Sequence, residues 1–126
     1  MFPPCMAHAI SNVRAGVNLA HSMRFALTSF LRNVGMSVDD IIAMFNVSPD
    51  FDMEKTRYQI EHISGSSGTE YKPPSCSTMR TYGNCYGADE LCSRIKHPLN
   101  YYRRKTWFKH KNEVSQQHLF SGKDSE

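Results

Sequence analysis

Apolar positions recur along this chain with the period of a helix. Leu19, Met23, Ala26, Leu27, Phe30 and Val34 fall at i, i+4, i+7, i+8, i+11 and i+15, one stripe that predicts a helix over residues 18–34. Gly35 follows as a C-terminal stop. Ser37 then caps the next helix, with Asp39 and Asp40 at its positive end and Ile41, Ile42, Met44 and Phe45 supplying core. After a Ser48-Pro49 turn, Asp52 caps a helix from Met53 to about Ile63. Ahead of these, a short helix opens near Pro3 or Pro4, where proline suits the first turn, and stops at Gly16. Residues 64–74 form a loop, Ser/Gly-rich at first and closed by the rigid pair Pro73-Pro74. Short helices near 75–82 and 89–95 are expected to carry three cysteines, and a final helix runs from about Pro98 through Trp107. No segment has the alternation of a strand, so the fold class is all-α. The expected division is a domain over 1–112 and a polar, flexible tail over 113–126.

The 126 residues suffice for one small domain, and 40% hydrophobic content makes its core lean. The net charge of +3 says little, but its distribution says more. No acid occurs in residues 1–36 or from Leu91 to Asn112, and the second stretch holds seven of the fifteen Lys+Arg. Segregated charge of this kind suits a polyanion. No apolar run approaches the roughly 20 residues of a membrane span. The start, Met-Phe-Pro-Pro-Cys, lacks the layout of a secretory signal, which predicts a reducing compartment. Phosphate-loop, GxSxG and HExxH signatures are absent.

In such a compartment Cys5, Cys76, Cys85 and Cys92 read as metal ligands or buried free thiols. Gaps of 70, 8 and 6 residues contain no zinc knuckle, which needs two sulfurs on one tight turn. An iron–sulfur cluster is wider than one ion and accepts ligands from separate segments, so the spacing leans towards a cluster without excluding structural zinc. A site joining Cys5 to Cys92 would fasten the two ends of the domain.

Candidate nucleic-acid contacts fall in three places. Opposite its apolar stripe, the 18–34 helix carries His21, Arg24, Thr28 and Arg32, either a phosphate grip or a solvated face. In the 53–63 helix, Tyr58 and His62 are i,i+4 neighbours, and Arg57 can pair with Glu61. The run Tyr101–Lys111 interleaves cations, Arg103 and Arg104 among them, with aromatic rings, as single-strand binders do; Tyr101, Trp107 and Phe108 could equally be core. Asp50-Phe51-Asp52 has the Asp-x-Asp form of a two-metal polymerase site but lacks strand context, and capping explains Asp52 more simply.

A family resemblance rests on ordered motifs. These are Phe2-Pro3-Pro4-Cys5, Asn18-Leu19-Ala20-His21 with Arg24-Phe25, Gly35-Met36, Ser48-Pro49-Asp50-Phe51 and Tyr58-Gln59-Ile60-Glu61-His62-Ile63. Thr69-Glu70-Tyr71, Pro73-Pro74-Ser75-Cys76, and Cys92 with Ile95-Lys96-His97-Pro98-Leu99 complete the series. Together they resemble the C-terminal iron–sulfur domain of the DNA primase large subunit over about residues 2–104, with archaeal-type cysteine spacing. The resemblance implies two small helical lobes around a [4Fe–4S] cluster held by Cys5, Cys76, Cys85 and Cys92. It also implies a non-catalytic role in primer initiation, the module engaging single-stranded template and the initiating nucleotide or primer 5′-triphosphate. Catalysis would lie in a separate small subunit, held by a large-subunit N-terminal domain with no counterpart here. Localisation would be cytoplasmic and nucleoid-associated in an archaeon, or nuclear in a eukaryote. Carried over by position, His21, Arg24 and Gln59 meet the nucleotide, with Asn18 in the same motif. With Tyr58 and His62 they line the expected groove, and Arg57, Arg103 and Arg104 are weaker candidates. Eukaryotic relatives have basic or histidine residues where this chain has Asn18, Ala20 and Glu61, which predicts weaker triphosphate binding. A structural zinc module that binds DNA, and an iron–sulfur repair glycosylase, are the competing readings. The distant Cys5 and the lack of a catalytic Lys or Asp in a flipping pocket count against the glycosylase.

Overall fold

Pro4 opens the first helix, α1 (Pro4–Arg14), because proline is preset for the first helical turn and has no N–H to leave unpaired. The computed structural model describes residues 1–47, 51–65, 68 and 71–125, with side chains described as far as Lys111. The helices that follow are α2 (His21–Asn33), α3 (Val38–Phe45), α4 (Met53–Ile63), α5 (Cys76–Thr81) and α6 (Pro98–Ser125), with a short 3₁₀ helix at Leu91–Arg94 ahead of α6. Among the described residues there is no strand, and the chain is mainly helical as expected.

Local chemistry sets most of the boundaries. Ser37 accepts a hydrogen bond from the Asp40 amide, and Asp52 accepts one from the Lys55 amide, so both expected caps form. At the end of α2, Gly35 takes φ +102° while its own amide and that of Met36 bond back to Arg32 and Leu31. That six-to-one closure requires a left-handed residue, which glycine supplies without a side-chain clash. Gly83 repeats the device after α5, turning the chain towards Cys85.

Three elements differ from the sequence reading. The helix expected from residue 18 starts at His21, because the chain leaves the Gly16 turn extended through Ala20, the N-cap with ψ 150°. Asn18 and Leu19 therefore lie before the helix. Of the three cysteines assigned to short helices, Cys76 and Cys92 lie on them and Cys85 lies in the loop between. The last helix continues past Trp107 to Ser125, a stretch of the sequence with no apolar periodicity and no proline to interrupt it. The expected Ser48-Pro49 turn, Asp50, the Thr69-Glu70 pair and the side chains of 112–126 lie outside the described residues.

The core is one cluster in which Met6, Ala9 and Val13 of α1 meet Ala26, Leu27 and Phe30 of α2, with Ile41, Ile42 and Phe45 of α3 and Ile60 of α4. Leu99 and Tyr102 bring α6 onto it, and Phe2 packs edge-on to Phe30 at 5.2 Å between ring centres. Ser29 is buried on α2 and donates back to the Phe25 carbonyl, which satisfies its hydroxyl within the helix. Arg32 donates to the Ser64 hydroxyl and the Met36 carbonyl, both at 2.8 Å, pinning the end of α2 to the end of α4.

Candidate nucleotide groove and cysteine centre

Because α2 and α4 pack side by side, the faces that they turn away from the core meet over a groove of about 310 Å³. His21, Arg24, Phe25 and Thr28 come from α2; Tyr58, Gln59 and His62 come from α4; Phe45 and Tyr71 close the ends. The Arg24 guanidinium lies over the Phe45 ring, 5.3 Å from its centre, which holds the fork in place without neutralising it. Tyr58 and His62 lie parallel with centres 6.3 Å apart, and Tyr71 touches both His62 and Phe25. Tyr58 is 72% exposed, so its ring is not core. An Arg fork set among open aromatic faces can take a phosphate and a base together.

Five of the residues named from the sequence, His21, Arg24, Tyr58, Gln59 and His62, therefore line one groove. The other four do not line it. Asn18, set back from α2, lies with Cys5, His8 and Tyr86 around a separate cavity of about 230 Å³. Arg57 turns outwards and pairs with Asp39 of α3 at 3.1 Å and Glu61 at 3.7 Å, as its spacing allows. Arg103 and Arg104 are exposed on α6. Thr28, expected on a polar stripe, is buried at the groove floor, and Arg32 is structural. Sequence reasoning missed Phe25, Phe45 and Tyr71 as groove residues. Tyr71 comes from a loop, where no periodicity could aim it, whereas Phe25 follows Arg24 directly and was within reach.

The cysteines meet elsewhere. Cys5 sits in the first turn of α1, Cys76 opens α5, Cys85 follows the Gly83 turn and Cys92 lies on the 3₁₀ helix. All four line a cavity of about 190 Å³ with Pro3, Met79, Arg80 and Ile95. Burial, with the negative charges of Cys76, Cys85 and Cys92 adding to it and the Met6 amide opposing it, pushes the Cys5 thiol from 9.0 up to about 12. Burial also raises Cys76 and Cys92. Four thiolates here would repel one another without a cation between them, which is the donor chemistry of a metal group. Among the described residues, no three His, Cys, Asp or Glu side chains are drawn together tightly enough to hold a single ion.

Polar clips hold the segments that bear the cysteines. Asp89 accepts the Cys92 amide on one oxygen and the Tyr101 hydroxyl on the other, at 3.1 and 2.6 Å. The Cys76 amide donates to the Lys96 carbonyl, and His97 accepts the Leu99 amide on Nδ1, so Nε2 donates to the Pro73 carbonyl. His8 stacks on Tyr86 at 3.7 Å, tying α1 to the Cys85 loop. Asp52, the described member of the Asp-x-Asp pair, is engaged as a helix cap.

The family model of the eukaryotic and archaeal DNA primase large subunit, C-terminal domain, matches residues 1–104. The DNA primase large subunit PriL of Methanococcoides burtonii is 73% identical over 112 residues, 88% of this chain and 31% of that protein. PriL of Methanosarcina acetivorans is 68% identical over 111 residues, 88% of this chain and 30% of the relative. PriL of Archaeoglobus fulgidus is 57% identical over 104 residues, 81% and 27% respectively. The chain thus spans about three-tenths of the length of these curated relatives.

Proposed function

The chain belongs to the family of C-terminal domains of the eukaryotic and archaeal DNA primase large subunit, and from that premise we propose that it is a non-catalytic module that binds nucleotide and nucleic acid while an RNA primer is begun in DNA replication. The groove engages the initiating nucleotide, or the primer's 5′-triphosphate end, beside the single-stranded template. Catalysis belongs to a separate small subunit, reached through the large subunit's N-terminal domain. The observation that carries this reading is the convergence of His21, Arg24, Tyr58, Gln59 and His62 on one groove.

Each of these residues has a part to play. Arg24 offers a planar, permanently charged fork to phosphate oxygens, and His21, almost one turn earlier, adds a ring N–H. Tyr58 offers a stacking face to a base, with His62 parallel behind it. Gln59 can donate and accept at once, which suits a base edge or a ribose hydroxyl.

Cys5, Cys76, Cys85 and Cys92 are the residues to hold a [4Fe–4S] cluster. When bound, the cluster supplies iron–thiolate bonds that fasten the start of the chain to the 76–92 segment. The observation that supports this donor set is that the four thiols share one cavity; burial there disfavours their thiolate forms unless a cation accompanies them. In this reading α1–α4 form one lobe and the cysteine-bearing segment the other, within an archaeal cytoplasm and at its nucleoid.

The test compares short RNAs bearing a 5′-triphosphate or a 5′-hydroxyl. Wild-type chain should prefer the triphosphate, and Arg24→Ala should weaken that binding at least about tenfold, the loss expected for a hydrogen bond to a charged group, with iron content unchanged. Affinity should also fall linearly with salt on logarithmic axes. Unchanged affinity in Arg24→Ala would remove the groove from the function, and loss of iron in that variant would make Arg24 structural.

A further inference from the structure

The groove leaves the basic, aromatic run on α6 unexplained. Tyr101 is only 5% exposed and Tyr102 packs on Phe2 and Phe30, so these two define the inward side of the helix. At 100° per residue, Arg103, Trp107 and Lys111 form a row on the outward side with Arg104 beside it, while Phe108, two turns on from Tyr101, lies at the edge of this face against the Asp89–Arg94 segment. Trp107 and Phe108 are 55% and 50% exposed, which removes the core explanation for both. Their rings contact each other edge to face at 5.1 Å, and the Lys111 ammonium lies 5.0 Å from the centre of the Trp107 ring.

We infer that this outward face of α6 is a second binding surface, for single-stranded nucleic acid of any sequence, separate from the groove. Charge argues for this occupant. The face carries three cations and the open Trp107 ring, with Phe108 at its edge, and no acid occurs from Leu91 to Asn112. On the N-terminal side of that stretch the nearest acids are engaged, Asp89 by the Tyr101 hydroxyl and Glu90 by Arg94 at 2.7 Å; on the other side Glu113 follows directly. Alternating cation and aromatic positions match a strand whose phosphates and bases alternate. A base arriving on Trp107 displaces the Lys111 ammonium from the ring towards the adjoining phosphate, so both contacts are kept. Among the described residues, none of these five lines the groove, and the surface needs neither a triphosphate nor a primer end.

Trp107 is the only tryptophan, so its fluorescence reports this face directly. The 126-residue chain is titrated anaerobically with 5′-hydroxyl oligothymidine. Tryptophan emission is followed in parallel with the anisotropy of the labelled strand. Saturable quenching is expected in wild type and, undiminished, in Arg24→Ala. Arg103→Glu/Arg104→Glu should raise the dissociation constant at least about tenfold, as two reversed charges beside a phosphate chain require. The ratio of affinities for 5′-triphosphate and 5′-hydroxyl RNA should stay constant in that variant. Lys111→Glu serves as the second variant if circular dichroism shows the double one unfolded. Strand binding without any change in Trp107 emission would overturn the proposal, as would quenching lost in Arg24→Ala or no binding of the 5′-hydroxyl strand. An emission shift that follows protein concentration alone, with doubled mass in sedimentation, would assign the face to self-association instead. A groove that fails its own triphosphate test leaves the Trp107 signal intact, so the two failures are distinguishable.

Discussion

Arg24 and Arg32 lie two turns apart on α2 and do different work. Arg32 is spent on Ser64 and Met36, whereas the Arg24 fork rests on Phe45 and faces the groove. Arg32→Ala should therefore lower stability by about 1–3 kcal/mol, read as a shifted denaturant midpoint, and leave triphosphate selectivity alone. Tyr101 gives a pH test. Burial, helped by the Asp89 carboxylate, pushes its phenol from 10.0 up to about 12. A folded value above the unfolded one stabilises below about 10 and is lost as pH rises towards 12. Wild type should lose more stability between pH 9 and 11 than Tyr101→Phe does; equal losses would mean that the fold does not hold the Tyr101 phenol above its ordinary range. His21, Arg24, Tyr58 and His62 were legible in the sequence because helical spacing alone puts each pair on one face. Asn18 lies outside the groove because α2 begins three residues after it, and Arg57 is engaged in ion pairs, one of which its own spacing allows.

Helix ends were the most legible elements, since caps act within four residues. Ser37, Asp52 and Gly35 each do what their type and position predict. Asp52→Ala should destabilise by about 1 kcal/mol and fray the start of α4, whose later turns carry Tyr58, Gln59 and His62. Thermal unfolding measures the first effect, and a small loss of nucleotide affinity that Asp52→Asn rescues measures the second. If this aspartate were a metal ligand for catalysis, Asn would fail to rescue. Tyr71 could not be found in this way, because its position depends on a loop closing onto His62 and Phe25. The extent of α6 was hidden for the opposite reason. The residues after Trp107 carry no apolar stripe by which periodicity could mark a helix.

At the scale of the molecule, α1–α4 share the core, while the 76–97 segment adds few buried side chains beyond Met79 and Ile95. Its attachment relies on backbone clips, the Tyr101–Asp89 contact and the four thiols around one cavity. In the proposed reading, a metal group across that cavity would link Cys5 to a segment more than seventy residues away, and its binding would contribute directly to folding. Removing the metal, or replacing Cys5 with Ser, should lower the unfolding midpoint by similar amounts and expose 76–97 to protease before α1–α4. The most direct measurement is an anaerobic visible spectrum of the purified chain, with iron, sulfide and zinc quantified on the same sample. Broad absorption with about four irons and four sulfides per chain is the predicted result. One zinc and no sulfide, in protein never exposed to air, would contradict the cluster and leave a zinc-stabilised basic helical domain in its place.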